Sequence, residues 1–310
     1  MTPSPTPGAE ARLALGAGIG CYLIWGFVPL VFQAIGHMGV SPWEIVAQRT
    51  LWAVPSALVF VLAARQGRQV LQVFRNPRVL AWLTLSALLI GSNWLLYIWA
   101  VNSGRVLETS LGYYINPLLA MAAGALIFRE HIDRIGLTAI ALAGVGVAIQ
   151  AVALGYFPFV SLILAVSFCG YGIVRKRVEA DAQTGLLVEC LILSLPGLAY
   201  ILWLERAGAG HFGADLPTTL WLLACGPITA TPLMLFAWAA RRIPLSFMGF
   251  LQFMGPTIGF AIGIAQGEAF TPVRAVSFAF IWSGAAVFAF GAWRRSRAVQ
   301  RAAADVAEAS

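Results

Sequence analysis

The run VLETSLGYYINPLLAMAAGALIFRE, residues 106–130, decides how the chain is read. Leu118 to Phe128 is wholly apolar or small, whereas Glu108, Thr109, Ser110, Tyr113, Tyr114, Asn116 and Pro117 crowd the part before it. A surface helix of a soluble domain spreads its polar groups along one face; this one gathers them at one end. Val106 to Phe128 is 23 residues, about 35 Å of helix, which is enough to cross a hydrocarbon core of about 30 Å. Pro117 removes one backbone donor and strands the carbonyl of Tyr113. In lipid that carbonyl is tolerated only where protein or water re-satisfies it. The stretch therefore predicts a bent or broken helix lining a cavity, with the rest of the chain as its walls.

The composition supports the same reading. Of 310 residues, 60% are hydrophobic and 11% charged, against about 25% charged in a soluble domain; mean hydropathy is +0.82. A polytopic membrane protein follows, and the net charge of +7 is a topology signal, with no nucleic-acid partner implied. Cys21, Cys169, Cys190 and Cys225 all lie in apolar runs without a CxxC pair, so they read as buried small hydrophobes with no disulfide framework or metal site. The first apolar run is too long for a signal-peptide core and leads into further spans, so no cleavage is expected.

Ten apolar segments of spanning length follow, at roughly 13–35, 43–64, 79–101, 106–128, 134–153, 157–174, 184–204, 218–240, 244–266 and 272–293. Connections are short, and the stretch after Trp293 reads as a polar, mobile tail. With the N-terminus in the cytoplasm, 16 Arg and Lys residues fall on the cytoplasmic side and 3 on the other, with Arg49 inside a span. The positive-inside rule then places both termini in the cytoplasm.

The chain also repeats itself. Trp82, Trp99 and Pro117 recur as Trp221, Trp238 and Pro256, 139 positions later. Arg134 and Gly144 recur 140 later as Arg274 and Gly284, and Pro55 recurs 141 later as Pro196. The expected organisation is a tail (1–12), a five-helix repeat (13–153), a second (154–293) and a tail (294–310). Five spans are an odd number, so the second repeat enters the membrane inverted. The fold class is an all-α membrane protein of ten transmembrane helices in two inverted-topology five-helix repeats. Substrate sites in such architectures lie near the midplane, at interrupted helices in corresponding positions. The sister of the opening stretch is Pro244–Glu268, with Phe250, Gln252, Phe253 and Pro256.

Few polar groups lie inside the spans. Every aspartate and histidine falls in a loop, at a span edge or in the tail, which argues against metal sites and His-based catalysis. Arg49 lies within the second span, where an unpaired Arg costs about 2.5–3.5 kcal/mol on insertion scales. It reads as an anion contact or counter-ion in a substrate or proton site; a structural ion pair, with Glu108 at similar depth, or snorkelling is the other reading. Glu189, inside the seventh span, corresponds under the repeat to Gln48, so the halves place opposite charges at mirrored depths. A carboxyl there that gains and loses a proton would serve proton coupling; a group facing the vestibule is the alternative. Trp25, Asn93, Trp94, Tyr113, Asn116, Tyr171 and Gln252 combine amides with aromatic rings, a lining suited to small, moderately hydrophobic molecules, although an interfacial aromatic belt gives a similar pattern. No GxxxxGK[ST], GxSxG or HExxH motif occurs, so neither ATP-driven transport nor a cofactor is expected.

The runs YLIWGFVPLVF (22–32), EIVAQRTLW (44–52), GSNWLLYIWAVN (91–102), LETSLGYYINPLL (107–119), SFCGYGIVRK (167–176), QTGLLVE (183–189), PLSFMGFLQFMGPT (244–257) and FAFIWSG (278–284) together resemble the RarD branch of the EamA family, in the drug/metabolite transporter superfamily. The resemblance covers Gly16 to Trp293. It implies ten helices in two inverted halves, placement in the bacterial inner membrane, and a permease for metabolites or drugs, often outward and often against protons. One departure stands out: Gln48 occupies a position where such sequences tend to carry His. That removes a proton carrier there.

The expected function is secondary transport of a small organic molecule, by alternating access and outward. The candidate substrate-binding residues are Trp25, Arg49, Asn93, Trp94, Glu108, Tyr113, Asn116, Tyr171 and Gln252, with Glu189 for coupling; partners are the substrate, protons and membrane lipid. An integral-membrane enzyme acting on lipid-linked substrates would need acidic or His clusters at the membrane face, and a non-transporting partner protein would need a domain to signal through. Gly136, Gly144 and Gly146 suit either a homodimer or packing inside the monomer.

Overall fold

The computed structural model describes residues 7–102, 106–155, 157–265 and 271–308. Regular structure among them is helical throughout: α1 (Pro7–His37), α2 (Pro42–Ala63), α3 (Gly67–Arg75), α4 (Pro77–Asn102), α5 (Val106–Ile127), α6 (Arg134–Leu154), α7 (Phe159–Arg177), α8 (Ala182–Arg206), α9 (Leu216–Ala240), α10 (Leu245–Leu251), α11 (Met254–Ala265) and α12 (Pro272–Glu308). Eight of these, namely α1, α2, α4, α6, α7, α8, α9 and α12, contain a segment long and apolar enough to cross a membrane. The chain is a multi-pass membrane protein. Leu62, Leu126, Val152 and Leu195 stand largely exposed, an apolar exterior that suits lipid and would be a liability in water.

Helix starts follow from local chemistry. The Ser41 hydroxyl accepts from the Glu44 N–H at 3.2 Å ahead of α2, and the Asp133 and Asp215 carboxylates accept from Gly136 and Thr218 N–H groups, each at 2.8 Å, ahead of α6 and α9. Each side chain satisfies a donor that the helix cannot.

Four expectations need correction. The connection between the second and third spans is an additional helix, α3. Its Val73 is buried against Val79, Leu83 and Val188 while Arg68 and Arg75 stay exposed. The stretch after Trp293, expected to lack regular structure, is helical as a continuation of α12 as far as Glu308. The segment expected at 244–266 is two helices, α10 and α11, parted at Gln252–Phe253. By contrast α5 runs through Pro117 as one helix, so only the second of the two sister stretches is interrupted.

The break has a local cause. Pro256 has no N–H to offer the carbonyl four residues back, that of Gln252. The Gly255 N–H takes it instead, at 3.2 Å, and the Phe253 N–H turns to the Phe250 carbonyl at 3.2 Å. Pro256 then sits in the first turn of α11, where a missing donor costs nothing.

Helix neighbours define the core. Helix α2 packs on α8 and α9, α5 on α7 and α10, α1 on α9 and α11, α4 on α7 and α8, and α6 on α12. In the last pair, a Cβ on Gly146 would lie 2.7 Å from the Ser277 carbonyl, and the Ser277 hydroxyl donates to the Gly146 carbonyl at 2.8 Å. Gly146 thus serves packing inside the chain, whereas Gly144 faces open space.

At one end of the bundle, rich in arginine, Asp181 accepts from Gln66 and Gln69 and pairs with Arg241 at 3.3 Å. There Lys176 Nζ lies 2.9 Å from the Glu130 carboxylate, which also accepts the Leu245 N–H at 2.7 Å. At the other end the Glu44 carboxylate, 1% exposed, takes both the backbone N–H and the ring Nδ1 of His211, at 2.7 and 2.8 Å.

Candidate functional site

Between these ends, polar side chains from several helices meet around two small cavities. The first is walled by Tyr22 of α1, Asn116 of α5, Cys169 of α7, Phe236 of α9, Met248 of α10 and Gln252 at the break. Asn116 is 1% exposed, and neither its amide nitrogen nor its amide oxygen has a protein partner. The Tyr22 hydroxyl is likewise buried and unpartnered. Buried polar atoms are normally paired, so these are the groups at this cavity with hydrogen-bonding capacity left over. Phe168 and Phe236 tilt against each other at 5.5 Å, and the Trp25 ring packs on both, at 5.5 and 5.9 Å.

The second cavity is bordered by Thr50 of α2, Ile90 and Trp94 of α4, Leu186 and Glu189 of α8, and Leu233 of α9. Neither cavity has room for more than about one water, so this conformation holds the site nearly closed.

Glu189 is 2% exposed and accepts from the Ser86 hydroxyl at 2.5 Å. Its carboxylate lies 3.5 Å from Arg175 Nη1. Arg175 is fully buried, and its Nη2 donates to the Ala182 carbonyl at 3.1 Å. Gly185 makes room for it, because any Cβ there would run into the guanidinium. Sequence reasoning missed Arg175: it opens the basic run RKR and reads as the end of a span. The signal available was its coincidence with Gly185 and Glu189 on the next helix.

Arg49 has a different environment. Its Nε donates to the Thr229 hydroxyl at 3.2 Å, and its guanidinium carbon sits 4.0 Å from the Trp94 ring centroid and 5.2 Å from that of Phe32. Tyr97 and Tyr113, in edge contact at 5.7 Å, lie close enough to interact with its charge.

The remaining candidates divide. Asn93, 4% exposed, spends its amide on the Leu164 carbonyl at 2.8 Å and the Ser167 hydroxyl at 2.9 Å, which ties α4 to α7. Tyr171 is fully buried, stacks on Phe236 at 5.6 Å and leaves its hydroxyl unpartnered. Gln48, beside Arg49, accepts from Trp52 Nε1 at 2.9 Å. The Glu108 side chain lies outside the described residues. The structure thus joins Asn116, Gln252 and the previously unremarked Tyr22 around one cavity, and Trp94 and Glu189 around the other, with Trp25 and Tyr171 in the surrounding apolar cluster.

Residues 12–151 match the model of the EamA-like transporter family. The chain is 39% identical over 300 residues to Protein RarD of Streptomyces exfoliatus, covering 95% of each. It is 38% identical to an uncharacterized transporter of Vibrio cholerae, covering 97% of this chain and 99% of that one. With Protein RarD of Escherichia coli the identity is 36%, over 91% of this chain and 96% of the relative. A solved crystal structure superposes with a TM-score of 0.69 at 20% identity, covering 88% of this chain and 96% of the other, which speaks to the fold.

Proposed function

Because the chain belongs to the EamA-like transporter family, we propose that it is a secondary transporter moving a small organic molecule across the bacterial inner membrane by alternating access. It is a transporter and not an enzyme, in keeping with relatives named as transporters. On this reading ten crossing elements form two inverted five-helix halves: α1, α2, α4, α5 and α6, then α7, α8, α9, the α10–α11 pair and α12. Helix neighbours support it. Exchanging the halves turns the α5–α7 contact into α10–α1, α4–α7 into α9–α1 and α2–α9 into α8–α4, and each of these contacts is present. The arginine-rich end faces the cytoplasm with both termini, and the direction is export.

The observation that carries the reading is Asn116. An unpartnered amide at a cavity between the two halves has no structural use and is poised for a ligand. Glu189 is the proposed proton carrier, with Ser86 and Arg175 holding its carboxylate. The test is flux of a metabolite and drug panel in proteoliposomes with imposed pH gradients, for wild type, Asn116→Leu and Glu189→Gln. The reading expects transport that Asn116→Leu abolishes, and a proton dependence that Glu189→Gln removes while exchange persists. Equal flux in all three proteins would remove both residues from the mechanism.

A further inference from the structure

Four charged side chains are buried among the described residues: Glu44, Arg49, Arg175 and Glu189. Three have side-chain partners, Glu44 in His211 and Arg175 and Glu189 in each other. Arg49 has no carboxylate partner among the described residues. Its protein contacts are one hydroxyl, that of Thr229, and the faces of Trp94 and Phe32.

A guanidinium has five N–H donors in a planar fork, and only Nε is engaged. Aromatic faces attract the cation without accepting the in-plane hydrogens, so the outer edge of the fork has no protein acceptor among the described residues, and such an edge can hold a planar anion by two parallel hydrogen bonds. Next to Arg49 along α2, Thr50 borders the second cavity, as does Trp94, and Ile90, Leu193 and Leu233 give that cavity an apolar wall. The charges also settle the sign. Glu189 is already committed to Arg175 and Glu44 to His211, so neither buried carboxylate is left over for an ammonium group, whereas Arg49 has no carboxylate partner among the described residues.

We infer that Arg49 is the anchor for an organic anion, a carboxylate on a small apolar body, and that this is the substrate class of the transporter. The inference rests on the transport reading above, and the experiment separates the two.

The full-length protein in detergent is titrated with acetate, hexanoate, phenylacetate and indole-3-acetate, with the primary amide of each, and with inorganic phosphate, reading thermal unfolding. The expected result is stabilisation by the larger carboxylates, at least about tenfold weaker action of their amides, and loss of that preference in Arg49→Gln. Arg49→Lys keeps the charge without the fork and retains part of it. Should Arg49→Gln fail to give monodisperse protein, Thr229→Val, which removes only the Nε acceptor, is expected to weaken carboxylate binding several-fold. Equal action of acids and amides overturns the inference. So does the absence of any anion effect in wild type, or stabilisation by phosphate alone. In parallel, flux of the same compounds is followed. Neutral compounds crossing unaffected by Arg49→Gln would sink the anion inference and keep the transporter; anions that bind without crossing would do the reverse.

Discussion

The carbonyl oxygen of Pro117 lies directly under Gly249. A Cβ placed on that glycine would come within 2.7 Å of the oxygen and 2.8 Å of the Ala120 Cβ. Helix α10 therefore rests on the proline turn of α5 backbone to backbone, beside Asn116 and Gln252 of the first cavity. Gly249→Ala is expected to wedge these helices apart and lower stability by about 1–3 kcal/mol, with a matching loss of transport. Gly255→Ala, where a Cβ meets nothing within 4 Å, is the control and is expected to be silent. Thermal unfolding of both variants in detergent decides it.

This contact also explains what the sequence concealed. Pro117 and Pro256 stand at matching places in their repeats, and each deprives one carbonyl of its partner. Which helix parts is decided by what packs there. Nothing in the stretch around Pro117 announces that a glycine 132 positions later seats a second helix against it. Arg49, Asn116, Gln252 and Glu189 were legible because a polar group in an apolar run has to be accounted for. Arg175 was not, since its burial depends on Gly185 and Glu189 from a neighbouring helix. Helix α3 was overlooked because GRQVLQVFR carries two arginines and is too short to span, although Val70, Val73 and Phe74 give it one apolar face.

Removing Glu189 strands Arg175. Breaking one side of a buried pair typically costs about 3–5 kcal/mol, so Glu189→Ala is expected to unfold at markedly lower temperature. Ser86→Ala, which deletes one hydrogen bond to the carboxylate, is expected to cost about 1.5–3 kcal/mol. The double variant Arg175→Met with Glu189→Leu is expected to lie closer to wild type than Glu189→Ala does. A double variant as unstable as the sum of its parts would mean that the two residues do not act as a pair.

Asn116 should behave in the opposite sense. Its amide is buried without a protein partner, so Asn116→Leu removes a desolvation cost of about 1–3 kcal/mol. The variant is expected to be more thermostable than wild type and inactive in flux. Lower stability with retained flux would make the amide a structural group.

At the His211 end, the backbone N–H and hydroxyl of Thr218 hold the exposed Asp215 carboxyl below its ordinary value, with His211 acting in the same direction. A depressed carboxyl contributes stability that is fully present above the ordinary carboxylate value and is lost as pH falls through the lowered one. The wild-type advantage over Asp215→Ala in melting temperature is therefore expected at neutral pH and should narrow in acid. A gap that stays constant across that range would leave the carboxylate charge without a role.

Helix α5 is a continuous rod, and its sister is a rod with a joint at Gln252–Phe253. The outer arm of the jointed one, α10, begins at Leu245, whose N–H is held by the same Glu130 carboxylate that grips Lys176 of α7. A swing of that arm cannot occur without pulling on Glu130 and Lys176 at the arginine-rich end. On the alternating-access reading, the joint beside the first cavity and the Glu130–Lys176 pair at the bundle end would therefore move as one lever.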